Sequence, residues 1–236
     1  MIQVLVYFET PFHVGGGVTG EGALFKPLLK DALGRPYIPA STFKGRLRHE
    51  AERLVRALQG DAALCRSPHS ETMCPQAPRF GKFCPICRTF GSPALPAPWY
   101  FGDLKVSRTD EQLVKASGWR YGVGLSRYRG VAVEKVLYAT ETAAAAPFLV
   151  FSTAIEPAAA TGDADIVPGG PRSVVSKMEW RGMTALLLAS LAMLNTLGSS
   201  RSRGLGWLKT EVSAPVWDAQ RIKEELQAWL KSEPWR

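Results

Sequence analysis

Apolar side chains recur along the chain with two different periods. Ile2, Val4, Val6 and Phe8 alternate with Gln3, Leu5 and Tyr7, the two-residue repeat of a mostly apolar strand. From residue 41 the period lengthens. Phe43, Leu47, Ala51, Leu54, Val55 and Leu58 form one stripe, which predicts a helix over 41–58 with Lys44 and Arg48 off the stripe. Pro36 and Pro39 keep the preceding segment extended up to Ala40, so Ser41 is placed to cap that helix. Further on, 101–106 reads as a short strand and 147–155 as a near-continuous apolar strand. Ser176-Lys-Met-Glu179 has the spacing of a capping box and opens a second long helix. That helix is expected to run to about Leu197, buried in its second half, with Gly198 as its C-cap. A strand over 205–212 follows. Asp218 then caps a last helix that carries Ile222, Leu226, Trp229 and Leu230 on one face.

Between these elements lie loops at 18–33 and 158–171, and a basic loop at 126–141 that runs into a hairpin arm. The order is strand, helix, irregular insertion, strands, helix, strand, terminal helix. It predicts an α+β chain of ferredoxin-like type, an antiparallel sheet with two main helices, in one domain over 1–236.

Composition adds a partner class. The chain has 236 residues, is 46% hydrophobic and carries a net charge of +8. A core of useful size follows and wholesale disorder is excluded. The positive charge favours a polyanion, most simply nucleic acid. It is clustered: 115–130 holds Lys115, Arg120, Arg127 and Arg129 with no acid, and 198–210 holds Arg201, Arg203 and Lys209 with no acid. Residues 1–12 have no basic n-region of a secretory signal, and the apolar run 185–194 is too short to span a bilayer. A cytoplasmic protein is expected, in which cysteines stay reduced or bind metal.

All four cysteines fall in the irregular segment 61–98: Cys65, Cys74, Cys84 and Cys87, spaced C-x8-C-x9-C-x2-C. A long segment with little periodicity needs something to hold it, and a zinc ion on four thiolates would do so. Cys84-Pro-Ile-Cys87 is the tight knuckle such sites use. Four thiolates complete the shell, so the site reads as structural and His69 as a bystander. Inert or redox thiols are the alternative.

Phosphate chemistry is suggested in three places. Ser41, Lys44 and Arg48 share a helix face near free N–H groups of the first turn. His13 precedes the glycines Gly15, Gly16 and Gly17, where backbone approaches a ligand closely without matching a nucleotide-loop spacing. Ser199, Ser200, Arg201 and Arg203 lie in a glycine-flanked loop. On composition alone, each would equally be a capped helix or a solvated turn.

Taken in order, Phe12-His-Val-Gly-Gly, Tyr37-Ile-Pro-Ala-Ser-Thr-Phe-Lys-Gly-Arg-Leu-Arg48, Cys84-Pro-Ile-Cys-Arg-Thr-Phe-Gly91 and Gly198-Ser-Ser-Arg-Ser-Arg-Gly-Leu-Gly206 resemble the RAMP superfamily. The likeness is to the repeated backbone subunit of type III CRISPR effector complexes. Arg127-Tyr-Arg-Gly-Val-Ala-Val-Glu, with Glu141 and Phe148 beyond it, looks like that family's thumb hairpin, about 120–147. The resemblance implies a modified RNA-recognition-motif core that binds CRISPR RNA phosphates, meets target RNA and neighbouring subunits, and kinks the guide–target duplex. Its guide contacts would be His13, Gly15, Gly16, Ser41, Thr42, Lys44, Arg46, Arg48, Arg127, Arg129, Ser199, Ser200, Arg201 and Arg203.

One departure bears on catalysis. Target-cleaving members have an aspartate in an Ile-Asp-Asn-Pro setting, where this chain reads Leu24-Phe25-Lys26-Pro27. A phenyl ring neither coordinates a metal nor moves a proton, so a non-cleaving subunit is expected. The alternatives are a metal-dependent endoribonuclease using Glu21 or Asp31, and a guide-processing ribonuclease using His13 or His49 as general base.

Overall fold

The computed structural model describes residues 1–15, 25–67, 69, 71–74, 83–107, 117–145, 149–158 and 177–232. The alternating first segment forms β1 (Ile2–Phe8), with Ile2, Val4, Val6 and Phe8 all buried. Each such side chain contributes roughly 1.5–3 kcal/mol by leaving water. β1 lies between two antiparallel neighbours. It pairs from Ile2↔Ile155 to Tyr7↔Val150 with β7 (Val150–Pro157), and from Gln3↔Ser213 to Phe8↔Leu208 with β8 (Leu208–Ser213). β3 (Trp99–Phe101) and β4 (Lys105–Val106) both pair with β7, giving a sheet of order β3-β7-β1-β8 with β4 beside β7.

A second, smaller sheet has the order β2-β6-β5. β5 (Ser117–Leu125) and β6 (Ala132–Ala143) make an antiparallel hairpin, and β2 (Phe25–Lys26) runs parallel to β6. The helices are α1 (Ala40–Gln59), the short α2 (Pro85–Phe90), α3 (Lys177–Ala192) and α4 (Ala219–Ser232). α1 and α4 each pack on α3. No helix among the described residues is long and apolar enough to cross a membrane.

Several expectations are refined. The 18–33 loop contains β2, and Leu28 and Lys30 form bridges to Gly15 and Pro36. The 101–106 strand is two strands interrupted at Gly102, where Leu104 turns to bridge Ile38. Ser41 is not the cap of α1: the helix starts at Ala40, whose N–H donates to the Asp103 carboxylate at 2.8 Å. A carboxylate from a distant loop therefore does what the local hydroxyl was expected to do.

α3 stops at Ala192 rather than near Leu197. Residues beyond it are drawn to the segment before β8, with Leu208 N–H donating to Asn195 O at 3.0 Å and Leu197 N–H to Gly206 O at 2.8 Å. Gly198 is then no helix cap. It has φ 99°, and a Cβ there would lie 2.5 Å from the His13 carbonyl oxygen. Ser176 and Phe148 lie outside the described residues. Asp218 does cap α4, accepting from Arg221 N–H at 2.7 Å.

Candidate functional site

The close approach at Gly198 builds a cleft of about 410 Å³ between residues 13–15 of the segment after β1, one face of α1 and the 197–201 loop. Ser199 N–H donates to His13 O at 2.9 Å, and Gly206 N–H to Pro11 O at 2.9 Å, so the loop is tied to the chain that follows β1. His13, Gly15, Thr42, Arg46, His49, Ser199 and Arg201 all line the cleft, and among the described residues no carboxylate does. Ser200 holds φ 56°, a left-handed conformation that a serine adopts at a cost of about 1 kcal/mol. It starts the single helical turn Arg201–Arg203 that carries the arginines.

His13 is buried, and its Nδ1 lies 2.6 Å from the Glu141 carbonyl oxygen. A carbonyl only accepts, so the proton is on Nδ1 and Nε2 keeps its lone pair in the neutral ring. Arg46 donates through its Nε and a terminal nitrogen to the Thr196 carbonyl and hydroxyl, each at 3.0 Å, and pairs with buried Glu50 at 2.5 Å. Burial pulls the Arg46 guanidinium below its usual pKa; the charge of Glu50 opposes this, and the positive charges of Arg201 and Arg53 add to it. Two cations held to one cleft in this way favour an anion between them.

The adjacent face of α1 looks elsewhere. Ser41, Lys44 and Arg48 share one face as the spacing predicts, but they line a separate groove against 90–97. Lys44 sits 5.5 Å over the Phe101 ring, its pKa lowered by burial and then by the charge of Arg48. Arg48 reaches the Gly91 carbonyl at 2.8 Å, the Cys87 sulfur at 3.7 Å and Glu52 at 3.2 Å. The helical motif is therefore split: Thr42, Arg46 and His49 meet the glycine-rich loop, while Ser41, Lys44 and Arg48 meet the cysteine segment.

In that segment the sulfurs of Cys65, Cys74, Cys84 and Cys87 all lie within 4.8 Å of one another and form no disulfide. Cys65 and Cys87 are 3.5 Å apart, and Cys65 and Cys84 are 3.7 Å apart. A metal with four thiolates at about 2.3 Å in tetrahedral geometry sets sulfur–sulfur edges of about 3.8 Å, so the donor set fits one such ion. Thiol hydrogen bonding, from Cys74 first, brings Cys65 down to about 7, and Cys84 falls below the usual thiol range for the same reason. α2 begins directly after Cys84, with Pro85 as its first residue.

The hairpin carries what sequence reasoning missed. The side chain of Glu141 is 9% exposed and pairs with Lys30 at 2.5 Å. It also accepts from Leu28 N–H at 3.0 Å and from the Ser117 hydroxyl at 2.8 Å. Burial alone would raise its pKa; Lys30, Leu28 and Ser117 outweigh burial and hold it below the usual range. Arg120, Tyr138, Thr140, Ser200 and Arg203 line another cavity, of about 350 Å³. Tyr138 has Lys26 and Arg203 near its ring, with centroid distances of 5.6 and 5.8 Å. The signal for β5 was present: Trp119, Tyr121, Val123 and Leu125 alternate with Gly118, Arg120, Gly122 and Gly124. At the tip, Arg127 and Arg129 flank Tyr128, which is 97% exposed.

Phe25 lies on β2, exposed, edge-on to Trp119 with ring centroids 6.0 Å apart. The carboxylate of Asp31 is spent locally on Leu33 N–H, Arg35 N–H and the Arg35 guanidinium, which hold its pKa low. Gly16, Gly17 and Glu21 lie outside the described residues.

The fold is similar to a chain of a "Type IV-B CRISPR Complex", with TM-score 0.57 and 15% identity, covering 92% of each chain. No curated protein matches the sequence. The family model of the RAMP superfamily matches residues 5–209, most of the chain and every part of the cleft just described, and the protein belongs to that superfamily.

Proposed function

We propose that this chain is a CRISPR RNA-binding backbone subunit of a CRISPR effector complex that holds guide phosphates in the cleft between α1 and the 198–206 loop. The carrying observation is the convergence of Arg46 and Arg201 on one cleft that no carboxylate lines among the described residues, beside Thr42, Ser199 and the Gly15 backbone. Sequence-blind guide binding needs phosphate contacts of this kind rather than base readout. Ser41, Lys44, Ser200 and Arg203 extend the cationic surface to either side. The exposed Arg127-Tyr128-Arg129 tip of the β5–β6 hairpin suits a thumb that meets guide and target.

A ferredoxin-like core fits the succession β1, α1, β3 with β4, β7, α3 and β8, and the sheet order with β1 and β7 inside. Zinc fits the four-thiolate donor set, as a structural ion for the 61–98 insertion. A type III complex is favoured by the motif order, a cytoplasmic setting by the CRISPR RNA partner proposed here, and a non-cleaving role by Phe25 where the family's nucleases have a carboxylate. Mixing end-labelled complementary RNA with the assembled complex, with and without magnesium, tests that role. No cut at this subunit in wild type and a new cut in Phe25→Asp are expected; a wild-type magnesium-dependent cut would mean that Glu21 or another acid serves.

A guide-processing ribonuclease is the second reading, because His13 and His49 line the same cleft as the arginines. Metal-independent cutting of repeat RNA by the isolated protein, lost in His13→Ala, would establish it.

A further inference from the structure

Arg48 lies in the stretch that reads as phosphate-binding, yet it is turned away from the Arg46–Arg201 cleft. Its guanidinium is committed in three directions: to the Gly91 carbonyl at 2.8 Å, to the Cys87 sulfur at 3.7 Å and to Glu52 at 3.2 Å. These contacts close a ring through the knuckle, since Cys87 and Gly91 bracket the end of α2 and Gly91 N–H donates back to Cys87 O at 2.8 Å. Gly91 is itself fixed, with φ 82°, where a Cβ would come within 2.8 Å of Ala97 N. Arg48 thus joins α1 to the metal knuckle by one planar fork.

A four-thiolate site around a divalent ion carries two net negative charges. Only about a fifth of the Arg48 side chain is exposed, and it places a full positive charge at one of the four sulfurs. Arg88 directly follows Cys87, and its guanidinium is taken by the Phe83 carbonyl at 3.1 Å and by Glu179. We infer that Arg48 is the outer-sphere counter-ion and hydrogen-bond donor of the four-cysteine metal centre, tuning metal retention through Cys87, and is a positioning residue of that centre rather than a guide-phosphate ligand. This rests on the reading of the cluster as a zinc site. Outer-sphere donors of this type typically alter metal retention by about 10- to 100-fold. A lysine keeps the charge and loses the fork, so Arg48→Lys separates the two contributions.

The test loads the full-length chain with zinc and measures metal loss to a chromogenic chelator, then replaces zinc by cobalt and records the sulfur-to-cobalt charge-transfer band. Arg48→Met is expected to lose zinc about tenfold or more faster. Its band should move to lower energy, because a sulfur without its donor gives up charge more easily. Arg48→Lys should fall between Arg48→Met and wild type, and it carries the test if Arg48→Met does not fold. Wild-type rate and band in the variants would overturn the role of Arg48 while leaving the zinc site standing. A wild-type chain that binds no zinc or cobalt would overturn both.

Discussion

Arg46 and Arg48 stand two residues apart on α1, in the same basic motif, and end in different chemistry. Arg46 is braced by Thr196 and Glu50 and borders an open cleft that also holds Arg201. Arg48 is locked to Gly91 and Cys87 beside the thiol cluster. Two residues on a helix turn the side chain by about 200°, so the motif cannot present one continuous basic face. One side of α1 meets a loop left open for a ligand, and the other meets a segment that a metal would close. On the proposed reading, one run of cations serves two partners, an external polyanion and an internal thiolate centre.

Cys84→Ser should break the comparison most severely. Structural zinc supplies on the order of 10 kcal/mol to small sites, so this variant should lose its metal and expose 61–98 to protease. The cleft side should keep more of its RNA affinity than an unfolded chain would; equal loss on both sides would mean that the two faces are one unit. Metal content and limited proteolysis report the first effect, and filter binding the second.

Glu141→Ala comes next, because it removes a carboxylate from beneath Lys30, Leu28 N–H and Ser117 and disturbs the strand that orients His13. Losing hydrogen bonds to a charged group of this kind costs roughly 1.5–3 kcal/mol, read as a fall in urea midpoint. A pH dependence follows from the same group. Its folded-state pKa is depressed, so its stabilisation is complete above the ordinary carboxylate pKa of about 4.3 and is lost as pH falls through the lower folded value. Wild type should therefore lose stability in that acid range more steeply than Glu141→Gln.

The smallest effect is expected at the hairpin tip. Tyr128→Ala removes a ring that is 97% exposed, so folding should be unchanged. RNA binding should weaken by about 1–3 kcal/mol if a base stacks there.

The periodic elements were legible because their signal is local. β1, most of α1, β8 and α4 follow from apolar spacing and caps that the chain carries at the site itself. What escaped depends on distant partners. Asp103 displaces Ser41 at the start of α1, and the pull of Gly206 and Leu208 on 195–197 ends α3 early. β5 was hidden because glycine occupies three positions on one of its faces, which lowers strand propensity although the alternation survives. The thiol cluster was legible from spacing, whereas the division of Thr42 and Arg46 from Lys44 and Arg48 needed the loops packed against α1. Glu141 was visible only as part of the hairpin pattern; its contacts were not, since two of its partners, Leu28 and Lys30, lie more than a hundred residues away.

The most direct measurement is the salt dependence of RNA affinity for wild type, Arg46→Ala with Arg201→Ala, and Arg48→Met, each zinc-loaded. Each phosphate contact to single-stranded RNA adds about 0.7 to the slope of log affinity against log salt. The double variant should flatten the slope by about 1.4. Its affinity should fall about a hundredfold or more, since charged hydrogen bonds contribute about 1.5–3 kcal/mol each. Arg48→Met should keep the wild-type slope. An unchanged slope in the double variant, or an equal flattening in Arg48→Met, would contradict the assignment of the cleft as the guide-phosphate site.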